Sequence, residues 1–123
     1  MNKTIVILGS GSQGLITLDL CLDMGLKVDG FLDDTKDVGT KVNGLPVMGG
    51  FSMAWDCSLG KGVACSVALG DPFSRTQIFE KIISAGGEAA TIVHPNSFIS
   101  PFATIGLGSL ISPFCFINAG AGF

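Results

Sequence analysis

From Val93 to the C-terminus the chain places a large apolar residue at every sixth position: Val93, Ile99, Ile105, Ile111, Ile117 and Phe123. A second series, Ser97, Ala103, Ser109, Cys115 and Ala121, is small throughout. An α-helix repeats every 3.6 residues and an exposed strand every two, so a period of six fits neither. It fits stacked short repeats, each of which buries its apolar residue only against its neighbours. The spacing predicts a left-handed parallel β-helix. In it, each hexapeptide forms one flat side of a triangular coil, the branched aliphatic points inward and the small residue sits at the corner.

The first ninety residues follow another rule. Thr4-Ile-Val-Ile-Leu8 is apolar on both faces, as a buried parallel strand requires. Gly9-Ser-Gly-Ser-Gln-Gly14 follows, a complete G-x-G-x-x-G. A helix is expected next, with Leu15, Leu18, Leu22 and Leu26 on one face and Gly25 at its end. Lys27–Leu32 reads as a second strand, closed by Asp33-Asp34. Strand, glycine loop, helix, strand and acid is the order of a dinucleotide-binding unit, and Asp33 stands 19 residues after Gly14, where such a unit places its ribose acid. Glycines let the backbone approach a phosphate, and the helix N-terminus offers free N–H groups. The candidate nucleotide-binding residues are therefore Gly9, Ser10, Gly11, Gln13, Gly14, Asp33 and Asp34, with Gly70 after a later strand. Asp33 and Asp34 have a plainer reading as turn caps.

Further along, Asn43-Gly44 predicts a tight turn inside a hairpin-like excursion over residues 36–50. Phe51–Trp55 suggests one helical turn, with Trp55 in the core or at an interface. Gly62–Leu69 reads as a buried strand. Ser74 with Gln77 suggests a capping box opening a helix that carries Ile78, Phe79, Ile82 and Ile83 on one face and stops at Gly86-Gly87. Ala89–Val93 is a final short strand. The fold class is α/β: a small Rossmann-like parallel sheet over residues 1–91, then the start of a left-handed parallel β-helix over 92–123.

Composition narrows the function. The net charge of −3 provides no basic stripe for nucleic acid. Four cysteines (Cys21, Cys57, Cys65 and Cys115) without a C-x-x-C pair, and a single histidine, His94, do not make a zinc site; the cysteines read as buried, reduced thiols. No window holds 18 apolar residues free of glycine or charge, so no membrane span is expected. The N-terminus makes a poor signal peptide, and a cytoplasmic location follows as an expectation.

Taken together, Gly9–Gly14, Gly30-Phe-Leu-Asp-Asp34, Leu45-Pro-Val-Met-Gly49, Ala68-Leu-Gly-Asp71 and the His94-Pro95 lead-in to the hexapeptides resemble a known family. It is the sugar O- and N-acyltransferases of the sialic-acid O-acetyltransferase and bacillosamine acetyltransferase type. The resemblance implies a homotrimer working in bacterial surface glycan synthesis. Its N-terminal domain holds a nucleotide-activated or sialic-acid-like sugar. Its β-helix binds acetyl-CoA between subunits, and a histidine there acts as general base in direct acyl transfer, with no metal.

The sequence departs from that pattern twice. Gln13 stands where the glycine loop usually has a histidine, and glutamine does not titrate. The family's catalytic histidine follows an Asn-x-Gly-Ala element, here Asn118-Ala-Gly-Ala121, so the expected base lies beyond Phe123 and no residue of this chain is assigned that role. His94 reads as structural. The repeat covers fewer than two coils, which predicts a truncated form of a longer protein whose open apolar end self-associates. Three functions stay in play: acetyl-CoA-dependent transfer by the full-length protein, a nucleotide-sugar-binding module without catalysis, and a dinucleotide oxidoreductase fragment. The hexapeptide repeat argues against the third.

Overall fold

A computed structural model describes residues 3–112, 114–117 and 120–122. Phe123, and Asn118 and Ala119 of the Asn-Ala-Gly-Ala element, lie outside the described residues.

Strand β1 (Thr4–Leu8) lies one strand in from an edge of the five-stranded sheet. β2 (Val28–Leu32) runs parallel to it on one side and β5 (Val63–Val67) on the other. Beyond β2 lies β4 (Leu45–Gly49), also parallel, and then β3 (Lys41–Val42), antiparallel to β4. Asn43 and Gly44 both take positive φ, which joins β3 to β4 in the tight turn that the Asn-Gly pair predicts. The hairpin was expected; the parallel pairing of β4 with β2 was not, because only tertiary packing sets it.

The apolar character of β1 on both faces is used in full. Ile5 and Ile7 face one core with Leu18, Cys21 and Phe31, while Val6 and Leu8 face another with Leu32, Cys65 and Ile82. Helix α1 (Ser12–Asp23) covers the first face. Its buried side is Gly14, Thr17, Leu18, Leu20 and Cys21; of the expected leucine stripe Leu18 is enclosed and Leu26 packs against the core, while Leu22 is 58% exposed. Gly14 has to be at the interface for α1 to reach β1, and that rotates Leu22 outward. The helix ends as expected: Gly25 takes φ +73, its N–H donates to the Leu22 carbonyl, and the Leu26 N–H donates to that of Cys21.

A short 3₁₀ helix (Phe51–Ala54) and α2 (Pro72–Ser84) lie on the second face. α2 begins two residues before Ser74. Asp71 is its N-cap and accepts from the Ser74 N–H, with Pro72 in the first turn. Its buried face is narrower than expected, with Ile82 enclosed and Ile83 39% exposed. Burial pushes the Cys21 and Cys65 thiols up to about 11, whereas Cys57 is exposed, contrary to the expectation of four buried thiols.

After α2 the chain coils. β6 (Ile92–Val93) pairs in parallel with β8 (Leu110–Ile111), β7 (Phe98–Ile99) with β9 (Phe116–Ile117), and Thr104 bridges to Gly122. All three ladders have a stride of eighteen residues, three hexapeptides per turn. Ile111 and Ile117 are buried. At three corners the small residue closes a turn: Ser97, Ala103 and Ser109 donate backbone N–H bonds to His94, Ser100 and Gly106. On the first side Val93 stacks on Ile111, while Ile92 and Leu110 pack into the α/β core beside Ala90 and Val28. No helix among the described residues is long and apolar enough to cross a membrane.

His94 fastens the two parts. It is buried, its Nδ1 accepts from the Asn96 N–H, and its Nε2 meets the carboxylate of Asp23 on the last turn of α1. The Asn96 bond assigns the proton to Nε2. We predict that His94→Ala lowers stability by about 2 kcal/mol, through the lost ring and an orphaned N–H. Asp23→Ala, at an exposed partner, costs about 1 kcal/mol or less. Urea unfolding of both variants checks the ranking.

Candidate functional site

In an open parallel sheet, ligands bind beyond the carboxyl ends of the strands where the strand order reverses. Here that point is the end of β1, between β2 and β5. The glycine loop follows β1, Asp33 and Asp34 follow β2, and Gly70 follows β5. A cavity of about 730 Å³ opens there, lined by Gly9, Ser10, Gly11, Gln13, Asp33, Asp34 and Gly70. Seven of the eight residues singled out in the sequence therefore share one cavity. The eighth, Gly14, lies beneath it.

The glycines do different work. Gly9 takes φ +100, and a Cβ on it would stand 2.6 Å from the Ala68 carbonyl oxygen. A Cβ on Gly14 would stand 2.0 Å from the Gly9 oxygen. These two glycines bring the start of α1 against the end of β1. A Cβ on Gly11 would touch nothing within 4 Å; it is the N-cap of α1, with no side chain capping the helix. Gly11, Ser12 and Gln13 at the start of α1 line the cavity, and an uncapped helix start suits an anion.

Asp33 is buried and heavily used. Its carboxylate accepts from the Ser10 N–H at 3.0 Å and from the Ser10 hydroxyl, and from the Thr35 N–H at 2.9 Å and hydroxyl at 2.6 Å. Lys36 Nζ lies 3.7 Å away and donates to the Ser10 hydroxyl at 2.6 Å. Burial alone would raise the Asp33 pKa, but the donors from Ser10 and Thr35 outweigh it and hold the carboxyl well below the usual carboxylate range. Asp33 is thereby a clamp on the glycine loop. Asp34 is the more accessible acid. Its Oδ1 accepts from the Phe51 N–H at 2.7 Å, and its side chain remains exposed on the cavity.

The opposite wall was not anticipated. Phe51 and Trp55 line it together with Ser74, Gln77 and Lys81 of α2. The Lys81 ammonium stands 5.0 Å from the Trp55 ring centroid, a cation–π arrangement. The Asp71-Pro72 pair was the signal that would have brought the start of α2 to this cavity. His94 is elsewhere, ten residues along α1 from Gln13 through Asp23, or about 15 Å of helix rise.

Comparison with known proteins agrees with this architecture. GDP-perosamine N-acetyltransferase of Escherichia coli O157:H7 is 34% identical over 122 residues, an alignment covering 91% of this chain and 52% of that protein. The acetyltransferase domain of PglB from Neisseria gonorrhoeae FA1090, solved with acetyl coenzyme A, superposes with a TM-score of 0.83 at 28% identity, over 99% of this chain and 58% of that one. A mutant perosamine N-acetyltransferase from Caulobacter crescentus, solved with CoA and GDP-perosamine, shares the fold at a TM-score of 0.81 and 24% identity, over 98% of this chain and 56% of that one. The chain thus spans about half the length of the curated relative it matches. Strands β1 to β5, the glycine loop and most of α2 fall within residues 4–82, the stretch matched by the PglD N-terminal domain, and the chain belongs to that family.

Proposed function

We propose that residues 1–91 form a nucleotide-sugar-binding domain and that residues 92–123 begin a left-handed β-helix. In this reading the whole protein transfers an acetyl group from acetyl-CoA to a nucleotide-activated amino sugar. The observation that carries it is the cavity at the end of β1, where an uncapped helix N-terminus and a clamped glycine loop face open space. A diphosphate fits there, because the charges nearest the loop are already answered: Asp33 by Ser10, Thr35 and Lys36, and Asp71 by Ser74 and Arg75. Asp34 remains to receive ribose or base hydroxyls and N–H groups. The names of the relatives support an amino-sugar acceptor and acetyl-CoA as donor. The same reading places the protein in the cytoplasm of a bacterium, in surface glycan synthesis, as a trimer with acetyl-CoA bound between coils.

For these 123 residues alone, binding without catalysis is the second reading. His94 is the sole histidine, and it is buried against Asp23 and Asn96. The general base would then come from the coil outside this chain.

Calorimetric titration with UDP, GDP, NADH and acetyl-CoA tests the proposal. UDP or GDP is expected to bind, NADH is not, and Asp34→Ala is expected to weaken the diphosphate at least about tenfold, roughly 1.4 kcal/mol. NADH binding without either diphosphate would revive the oxidoreductase reading and overturn this one.

A further inference from the structure

A second cavity of about 640 Å³ lies between the end of β5, α2 and the first coil. Leu107–Ile111 of the coil form one wall, and Thr76 and Phe79 of α2 form another. The coil is seated closely there, since a Cβ on Gly108 would stand 2.7 Å from the Phe79 ring. Gln13, Ala68 and Leu69 line both this cavity and the glycine-loop cavity. Of these three, only Gln13 carries a polar side chain. Its backbone carbonyl accepts from the Thr17 hydroxyl at 2.8 Å, but its side-chain amide makes no hydrogen bond among the described residues. An exposed amide at a doorway offers a donor and an acceptor together, at any pH.

We infer that Gln13 is a specificity-determining residue standing between two compartments, with the nucleotide in the glycine-loop cavity and the pendant group of the same ligand in the coil-side cavity. This rests on the nucleotide-sugar reading given above. The coil-side compartment mixes apolar Phe79, Leu107 and Leu110 with polar Thr76, Ser109 and Arg75. Such a surface suits a sugar ring, which presents both C–H faces and hydroxyl edges, better than a second base. The diphosphate would then lie near the junction, where Arg75 Nη1 already donates to the Leu69 carbonyl at 3.2 Å.

The test compares affinity for a nucleotide-sugar with affinity for its parent diphosphate, using UDP-N-acetylglucosamine against UDP and GDP-mannose against GDP. Three proteins are titrated: the native chain, Gln13→Ala, and Thr76→Trp, which fills the coil-side cavity from an exposed helix position. In the native chain at least one sugar is expected to change affinity relative to its diphosphate. Both variants are expected to shift that ratio by at least about tenfold, and Thr76→Trp, which lies outside the glycine-loop cavity, keeps diphosphate affinity within about twofold. Circular dichroism and melting confirm that each variant is folded. A ratio that neither variant moves, or a native chain indifferent to the sugar, overturns the inference and leaves the nucleotide site standing. Failure of both diphosphates to bind the native chain overturns the nucleotide reading itself, and this inference with it.

Discussion

Gly14→Ala is expected to destabilise the protein by about 3 kcal/mol, the upper range for forcing atoms into a packed contact. The argument is steric. The new Cβ would stand 2.0 Å from the Gly9 carbonyl oxygen and 2.8 Å from its carbon. Both are backbone atoms, so no rotamer change relieves the clash. Either α1 lifts from β1 or the loop opens, and both routes disturb the core holding Leu18, Cys21 and Phe31. For a chain of this size the melting temperature should fall by roughly 15 °C. Gly11→Ala is the control: its Cβ meets nothing within 4 Å and φ there is −85, so stability should change by about 0.5 kcal/mol or less. Equal melting temperatures for the two variants would show that the close approach is not needed.

Asp33→Ala carries the second large effect, again about 3 kcal/mol, because it strands the buried N–H of Ser10, frees Thr35 and removes the ion pair to Lys36. Its signature is pH dependence. The folded carboxyl titrates below its unfolded value, so the unfolded chain takes up the proton first on acidification. The contribution of Asp33 is therefore complete above the ordinary carboxylate pKa near 3.8 and is lost as the pH falls below it. Asp33→Asn keeps the shape but not the charge, and should cost about 1–2 kcal/mol at neutral pH. Chemical denaturation between pH 2.5 and 7 should show a shallower acid limb for Asp33→Asn than for the native chain. Parallel limbs would remove the clamp from the account. Loss of diphosphate binding should accompany loss of the clamp, since Ser10 belongs to the loop that forms the cavity floor.

Period and spacing made several features legible before any coordinates. The six-residue series foretold that Val93 would stack on Ile111 and Ile99 on Ile117, because a ladder with three sides per turn needs that stride. β1 read correctly because its apolar residues are continuous, and Asn43-Gly44 read correctly because few dipeptides accept two positive φ values. α1 misled in part: Leu18 is buried as expected, but Gly14, Thr17 and Cys21, small residues that an apolar count rewards little, share its face and turn Leu22 outward. The site was legible in place but not in role. Spacing located Asp33, and its turn-cap reading covers Thr35 two residues on; only the fold brings the Ser10 donors onto its other oxygen. Trp55 with Lys81, and His94 with Asp23, join distant segments, and no local signal predicts such pairs.

The packing of Ile92 and Leu110 into the core of the α/β unit bears on how the coil forms. Parallel ladders starting in solvent must close a loop before any contact repays it. Here the first side condenses on an apolar wall that the sheet has already built, so the sheet acts as a nucleus and the coil grows from it in one direction. Rungs near that wall should exchange their amide protons only when the sheet opens, and those farther along should exchange progressively faster.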